Sequence, residues 1–239
     1  MREGAPKAVT AIGLALQEQI EHGLLTGGSQ LPAERKLSEL FATTRITVRE
    51  ALLQLEAQGV VYREERRGWF ISPPRLAYNL MQRSHFHAMV SAQGRVPTTE
   101  VIAARLQPAS AAVCARLQLT AFSSVIQICR ARRINGRLVL YVEHYLNPQY
   151  FPQILQFDLT QSITELYARH YDLHYGRVCF EIVPTALPAE AAATLKVSTG
   201  SPGLRIVRIN YDQHERLIDC DIEYWRHDAI HVGVEVLER

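Results

Sequence analysis

The chain has 239 residues, 47% of them hydrophobic and 21% charged, which is enough for one large domain or two smaller ones with real cores. A formal net charge of +2 does not announce a polyanionic partner, and cutting at residue 75 leaves both parts balanced: 10 Lys/Arg against 9 Asp/Glu before it, 16 against 15 after. No apolar run approaches the ~18 residues that span a bilayer and no basic-then-apolar leader opens the chain, so a cytoplasmic protein without a membrane partner is expected.

From Val9 to Leu25 apolar residues recur as Val9, Ile12, Leu16, Ile20 and Leu24, at helical spacing, and Gly27-Gly28 ends the run. A short second helix follows "LPAE", with Leu37, Leu40 and Phe41 on one face. A third, capped by Thr43 or Thr44, carries a stripe of Val48, Ala51, Leu52 and Leu55 and stops at Gly59. The period then changes to two, and "VVYREERRGWFIS" predicts two short strands around a charged turn that ends in Gly68. Three helices and a hairpin make the pattern of a winged helix-turn-helix.

The third helix places Arg45, Thr47 and Arg49 near its N-terminus, where acids usually sit. At about 100° per residue, Arg45 and Arg49 fall together along one edge of the side opposite the apolar stripe. That placement suits a polyanion held at the helix start, with arginine reading guanine and methyl groups touching thymine. Arg35, Arg63, Arg66 and Arg67 are placed to grip phosphates, and Gly68 lets the hairpin tip come close to a groove. The plainer alternative is a solvated face of charge pairs.

"LPAERKLSELFATTRITVREALLQLEAQGVVYREERRGWFIS" resembles, without gaps, the DNA-binding domain of the GntR family of bacterial transcription regulators. The family pattern runs L-P-S/A-E-R, threonine or serine and arginine, T-V-R-x-A-L, L-x-x-x-G and an R-G-x-F wing. The resemblance implies DNA contacts at Arg35, Thr44, Arg45, Thr47, Arg49, Arg67 and Gly68, and binding to double-stranded operator DNA as a homodimer. The chain departs from the pattern at Trp69, which stands where a small residue or threonine is usual and is expected to pack on the domain instead of reading bases.

"SPPR", Ser72 to Arg75, marks a boundary. The expected organisation is a DNA-binding domain over 1–72, a linker over 73–80 and a second domain over 81–239. A helix is expected over Leu76 to Gln93, followed by a mixed α/β region. Its strands are "SVIQICRARRI", "RLVLYVEHYL", "GRVCFEIVP", "LRIVRINY", "RLIDCDIEYW" and "HVGVEV", with Asn135-Gly136 as a hairpin turn between the first two. Helices are expected to start with Pro108 and Pro188 in their first turns. "PASAAVCARLQL" and "PAEAAATLKV" each lead into an arginine-bearing strand and then "RLVLYVEHY" or "RLIDCDIEY", an echo at an offset of about 79–80 residues. A duplicated helix-plus-hairpin unit predicts a pseudo-symmetric, mainly antiparallel sheet.

This second part resembles the effector-binding (UTRA) domain of the HutC-type branch of the GntR family, with a fold related to chorismate lyase. "PTTEVIAARLQPAS" and Glu143-His144-Tyr145 look most like the phosphonate-utilisation regulators. The overall expectation is therefore α+β. The resemblance implies an effector pocket at His85, His87, Arg130, Arg132, Glu143, Ser162, Asp219 and Trp225. The arginines and Ser162 suit an anion, and the two acids suit an ammonium or hydroxyl group. A small anionic phosphonate or phosphate ester is the implied effector, 2-aminoethylphosphonate first, with a phosphosugar or a histidine-pathway metabolite as alternatives. Strand arginines can equally form surface salt bridges, and Ser162 can be a helix cap only. No cofactor, metal or catalytic residue is expected. His170/His174 and His227/His231 lack a metalloprotease glutamate, Cys114, Cys129, Cys179 and Cys220 form no C-x-x-C, and no nucleotide or nucleophile motif occurs.

Overall fold

The computed structural model describes residues 4–64, 66–82 and 85–235, the side chains of 4–7 excepted. It divides into two compact units, Met1–Arg75 with His227–His231, and Leu76–Arg226 with Val232–Arg239. No helix among the described residues is long and apolar enough to cross a membrane.

The first unit contains α1 (Gly4–Glu21), α2 (Glu34–Leu40) and α3 (Arg45–Ala57), followed by the hairpin of β1 (Val61–Glu64) and β2 (Gly68–Ile71). α1 starts earlier than its periodicity suggests and ends at Glu21, leaving Leu24 76% exposed in a turn. Val9, Ile12 and Leu16 of α1 pack on Leu37 and on Val48, Leu52 and Leu55 of α3. Each such side chain, once fully buried, contributes roughly 1.5–3 kcal/mol. Trp69 is 3% exposed and belongs to this core, so the wing is fastened by its indole. Gly59 ends α3 at φ +77°, and a Cβ there would meet Arg75 Nη2 at 2.5 Å, so the position requires glycine twice over. Residues 227–231, which the sequence assigned to the second domain, belong with this unit: His227 Nε2 lies 2.8 Å from the Glu56 carbonyl, and Ser72 donates to Asp228 at 3.3 Å.

In the second unit, Leu76 to Gln93 is not one helix but β3 (Leu76–Asn79) and a short α4 (Phe86–Ser91). Leu76 and Tyr78 are buried while Ala77 is exposed, a period of two, and Asn79 Oδ1 takes the Met81 amide at 2.9 Å to turn the chain. Then come β4 (Pro97–Pro108), α5 (Ala111–Leu117), β5 (Ser124–Ile134), β6 (Arg137–Leu146), a 3-10 turn at Ile154–Gln156 and α6 (Ile163–Tyr171). After them run β7 (Tyr175–Ala186), α7 (Ala189–Leu195), β8 (Pro202–Asp212), β9 (Leu217–Arg226) and β10 (Ile230–Gly233). β4 was not foreseen. Pro108 closes that strand and Ser110 caps α5, whereas Pro188 is the N-cap of α7 and precedes its first turn. β10 is shorter than the expected strand, whose last residue, Val236, lies outside the described residues.

The six-stranded sheet has the order β4-β5-β6-β9-β8-β7, antiparallel throughout. The order is its own mirror image, which is what a duplicated β-α-β-β unit gives. β8 begins 78 residues after β5 (202 against 124) and α7 78 after α5 (189 against 111). α5 packs across onto β9 and α7 onto β6, so each repeat covers the other's hairpin. Asn135 (φ +50°) and Gly136 (φ +80°) make the β5–β6 turn. One sheet face carries α6 and the 147–162 segment, with Phe151, Leu159, Ile163 and Tyr167 packed on Ile126 and Ile128. The other carries α5 and α7.

Candidate functional site

The first unit presents the start of α3. Thr44 is the N-cap, its Oγ1 accepting from the Thr47 amide at 3.2 Å, and the helix begins with Arg45 and Ile46 in solvent, Ile46 80% exposed. Arg45 pairs with no acid among the described residues. Arg49 is held: its Nη2 and Nε donate to the two oxygens of Glu34 at 2.7 and 3.2 Å, and Trp69 Nε1 donates to the same carboxylate at 3.2 Å. The Arg49 bond in particular holds the Glu34 carboxyl below its usual range. Thr47, expected among the DNA contacts, is buried, and its hydroxyl is spent on Thr44 at 2.9 Å, so its place is in the cap and core. Arg35 pairs with Glu39 at 2.9 Å. Arg67 pairs with Glu64 and lies 4.9 Å over the Phe70 ring, beside Gly68 at φ +96°. Exposed cations thus flank the helix start on α2, α3 and the wing, with the first-turn amides pointing the same way.

In the second unit a small cavity of about 30 Å³ lies against the α6 face of the sheet. His85, His87, Arg130, Arg132 and Ser162 line it together with Thr99, His144, Thr164, Tyr175, Arg208 and Asp221. Strand parity explains the set. His144 stands opposite Ile128 and Asp221, and Asp221 opposite Arg208, so all share one face with Arg130 and Arg132. Glu143 pairs with Cys129 and Ile222 and therefore points to the other face, where Tyr141 and Tyr145 donate to it at 3.3 and 3.2 Å. Its assignment to the pocket is corrected: one residue along a strand is the opposite side of the sheet. Asp219 has the right parity but is buried and does not line the cavity, its oxygens occupied by Tyr167 (2.7 Å), Tyr175 (2.9 Å) and Asn210 (2.5 Å). Trp225 stands behind the cavity, packed on Phe86 and Tyr78 with its indole N–H on Glu223 at 2.7 Å.

The buried charges divide the labour. Arg130, 2% exposed, donates to His144 Nε2 and to the carbonyls of Leu159 and Gln161, so it fixes the loop that leads into α6. Because Nε2 accepts from arginine, His144 carries its proton on Nδ1 and donates it to Asp221 at 2.5 Å. Burial brings the imidazole down to about 4, and His144 is neutral. Asp221, facing His144 and two arginines, is held far below the ordinary carboxyl range despite its burial, while burial beside Asp221 raises Asp219 to about 7. Burial also lowers Arg132 and His87. Arg132 packs 4.8 Å over Phe86, and among the described residues neither its Nε nor that of Arg208 has an acceptor. Ser162 caps α6 by accepting from Glu165 N at 3.3 Å, which leaves the Ile163 and Thr164 amides at the cavity. His85 caps α4 and reaches Glu165 at 2.8 Å, and His87 reaches Thr99 at 2.9 Å. Two arginine N–H groups, a helix start and a cap hydroxyl suit a tetrahedral or planar oxyanion.

Arg208 was missed, yet the internal echo contained it: it stands 78 residues after Arg130, the offset that separates β8 from β5. His144 and Asp221 carried no such signal.

Residues 8–71 match the gntR family of bacterial regulatory proteins and residues 92–231 match the UTRA domain. The HTH-type transcriptional regulator YihL of Escherichia coli (strain K12) is 30% identical over 223 residues, 90% of this chain and 92% of that protein. The HTH-type transcriptional repressor NagR of Bacillus subtilis (strain 168) is 29% identical, over 83% of this chain and 82% of that one. The crystal structure of PhnF from Mycobacterium smegmatis matches in fold with a TM-score of 0.66 at 23% identity, covering 95% of this chain and all of that one. The chain is a member of the GntR family of bacterial transcription regulators, a DNA-binding protein with a ligand-responsive UTRA effector domain.

Proposed function

We propose that the chain is a homodimeric repressor that binds a palindromic operator through the start of α3 and the wing, and lets go when a phosphonate or phosphate ester occupies the cavity at Arg132 and Arg208. The observation that carries the effector reading is the pair of buried Nε–H groups, without acceptors among the described residues, on two arginines that line one cavity beside the start of α6. Two-fold protein symmetry favours two half-sites, with Arg45 the strongest candidate for a base contact and Arg35, Arg49 and Arg67 for contacts nearby. The amine of 2-aminoethylphosphonate gains no partner from Glu143, which faces away, or from Asp219, which is fully engaged. The oxyanion head is therefore the recognised group. A tenfold loss of operator affinity requires the effector to favour the released form by about 1.4 kcal/mol. Footprinting of the upstream region of its own gene, with and without 2-aminoethylphosphonate and methyl phosphate, tests the proposal. A symmetrical footprint that either compound weakens is the expected result. A footprint indifferent to every oxyanion tried would overturn the effector reading and leave the DNA reading intact.

A further inference from the structure

The oxyanion cavity is not closed. His85, Thr164, Tyr175 and Arg208 also line a second, larger compartment of about 680 Å³, within the range of about 300–1,000 Å³ typical of small-molecule sites. The first cavity, at about 30 Å³, holds little more than one head group, since a single water needs about 10–15 Å³ by this measure. A compound as small as 2-aminoethylphosphonate would fill the first space and leave the second to water. Beyond the shared residues the larger wall is built from Tyr78, Leu80, Met81, Val178, Phe180 and Val234. Its charged members face each other: Arg177 donates to Glu215 at 2.9 Å and stacks 3.6 Å over Tyr211. Among the described residues that the two spaces do not share, that leaves Gln82 and the Tyr78 hydroxyl as its other polar groups. A sugar needs a partner for each hydroxyl it buries, and the stretch of wall built from Leu80, Met81, Val178, Phe180 and Val234 offers none.

We infer that the effector is a bipartite organophosphate or organophosphonate, with its anionic head at Arg132 and Arg208 and a mainly apolar body lying between β3 and β7. The inference rests on the proposed oxyanion site and adds the chemical class of what the oxyanion is attached to. Arg208 borders both spaces, so a head on its guanidinium directs the attached body into the larger one. Each methylene fully buried there improves affinity about fourfold.

Calorimetric titration of the full chain with methyl phosphate, hexyl phosphate and glucose 6-phosphate tests this, together with the double variant Met81→Gln/Val178→Asn. Met81 is 68% exposed and Val178 lies on an edge strand, so the variant leaves the core in place. Hexyl phosphate is expected to bind at least tenfold more tightly than methyl phosphate, and the ratio to fall below about threefold in the variant. Methyl phosphate that binds while hexyl phosphate gains nothing overturns the apolar body and spares the oxyanion head. A tenfold gain that survives in the variant overturns the placement between β3 and β7, and glucose 6-phosphate equalling hexyl phosphate overturns the apolar class. If no phosphate ester or phosphonate binds, the oxyanion reading itself fails and this inference falls with it.

Discussion

Arginine does opposite work in the two units. In the first, Arg35, Arg49 and Arg67 sit in solvent with side-chain exposures of 76%, 55% and 65%, each beside a glutamate. Such pairs are worth about 0–1 kcal/mol, so each arginine is free to exchange its carboxylate for a phosphate or a base. In the second, Arg130 is buried against His144 under the loop that leads into α6, and Arg208 lies half-buried beside Asp221 and Glu223. There the ions have left water, and removing one partner strands the other at about 3–5 kcal/mol. A surface arginine is a hand held out, while a buried one is part of the frame that shapes a cavity.

The sharpest way to break that contrast is Asp221→Val, which makes β9 resemble its counterpart β6 at Val142. It leaves His144, Arg130 and Arg208 short of an anion and should lower unfolding free energy by about 3–5 kcal/mol in a denaturant titration. A loss under about 1 kcal/mol would mean that these charges are hydrated.

A pH series reaches the same frame by titration. His144 is lowered to about 4, so its contribution is fully present above its unfolded value of about 6.5 and lost as pH falls towards 4, on the order of 3 kcal/mol. Asp219, raised to about 7, works the other way: its contribution is present below about 4 and lost as pH rises through 7. Asp219→Asn should therefore expose a stability that climbs from pH 4 to 6.5, where the wild type is flatter. Identical pH profiles for the two proteins would contradict the assignment.

Smaller effects separate binding from framework. Arg132 makes no hydrogen bond among the described residues, so Arg132→Met should leave the unfolding midpoint near wild type yet weaken methyl phosphate binding by about 1.5–3 kcal/mol, the worth of charge-assisted hydrogen bonds. Calorimetry decides, and unchanged affinity removes Arg132 from the site. Arg45→Ala should cost about 1–3 kcal/mol of operator affinity, relax preference at one base position and spare stability. Competition binding against point-mutated operators reads this. Smallest of all, Arg35→Ala should shift unfolding by at most about 0.5 kcal/mol while flattening the salt dependence of operator binding by about one phosphate contact. An unaltered salt slope would place Arg35 off the DNA.

The same contrast explains what could be read in the sequence. The winged unit was legible because its informative residues lie on local elements: the α3 stripe, the Thr44 cap, Gly59 and the hairpin all follow from neighbours a few positions away. β5 and β6 came out with their observed ends because Asn135-Gly136 fixes the turn between them. β4 was missed because its alternation is blurred by alanines and leaves much of both faces exposed at the sheet edge. The buried charges were legible only in part. Arg130 and Arg132 announced themselves as a pair, but choosing Glu143 over His144 required knowing which strand face α6 covers. That is a non-local fact. Asp219 shows a further limit, since correct parity does not tell a cavity wall from the layer behind it.

Each unit also places an indole against a carboxylate: Trp69 donates to Glu34, and Trp225 to Glu223. The chain has only these two tryptophans, so its intrinsic fluorescence has one channel for each half of the regulatory cycle. Operator binding that draws Arg49 away from Glu34 changes the electrostatic surroundings of the Trp69 ring. A ligand head at Arg132 alters the field at Trp225 through Phe86, which touches both side chains. With Trp69→Phe and Trp225→Phe as single-channel versions, the order of ligand arrival and DNA departure becomes a matter of which emission moves first.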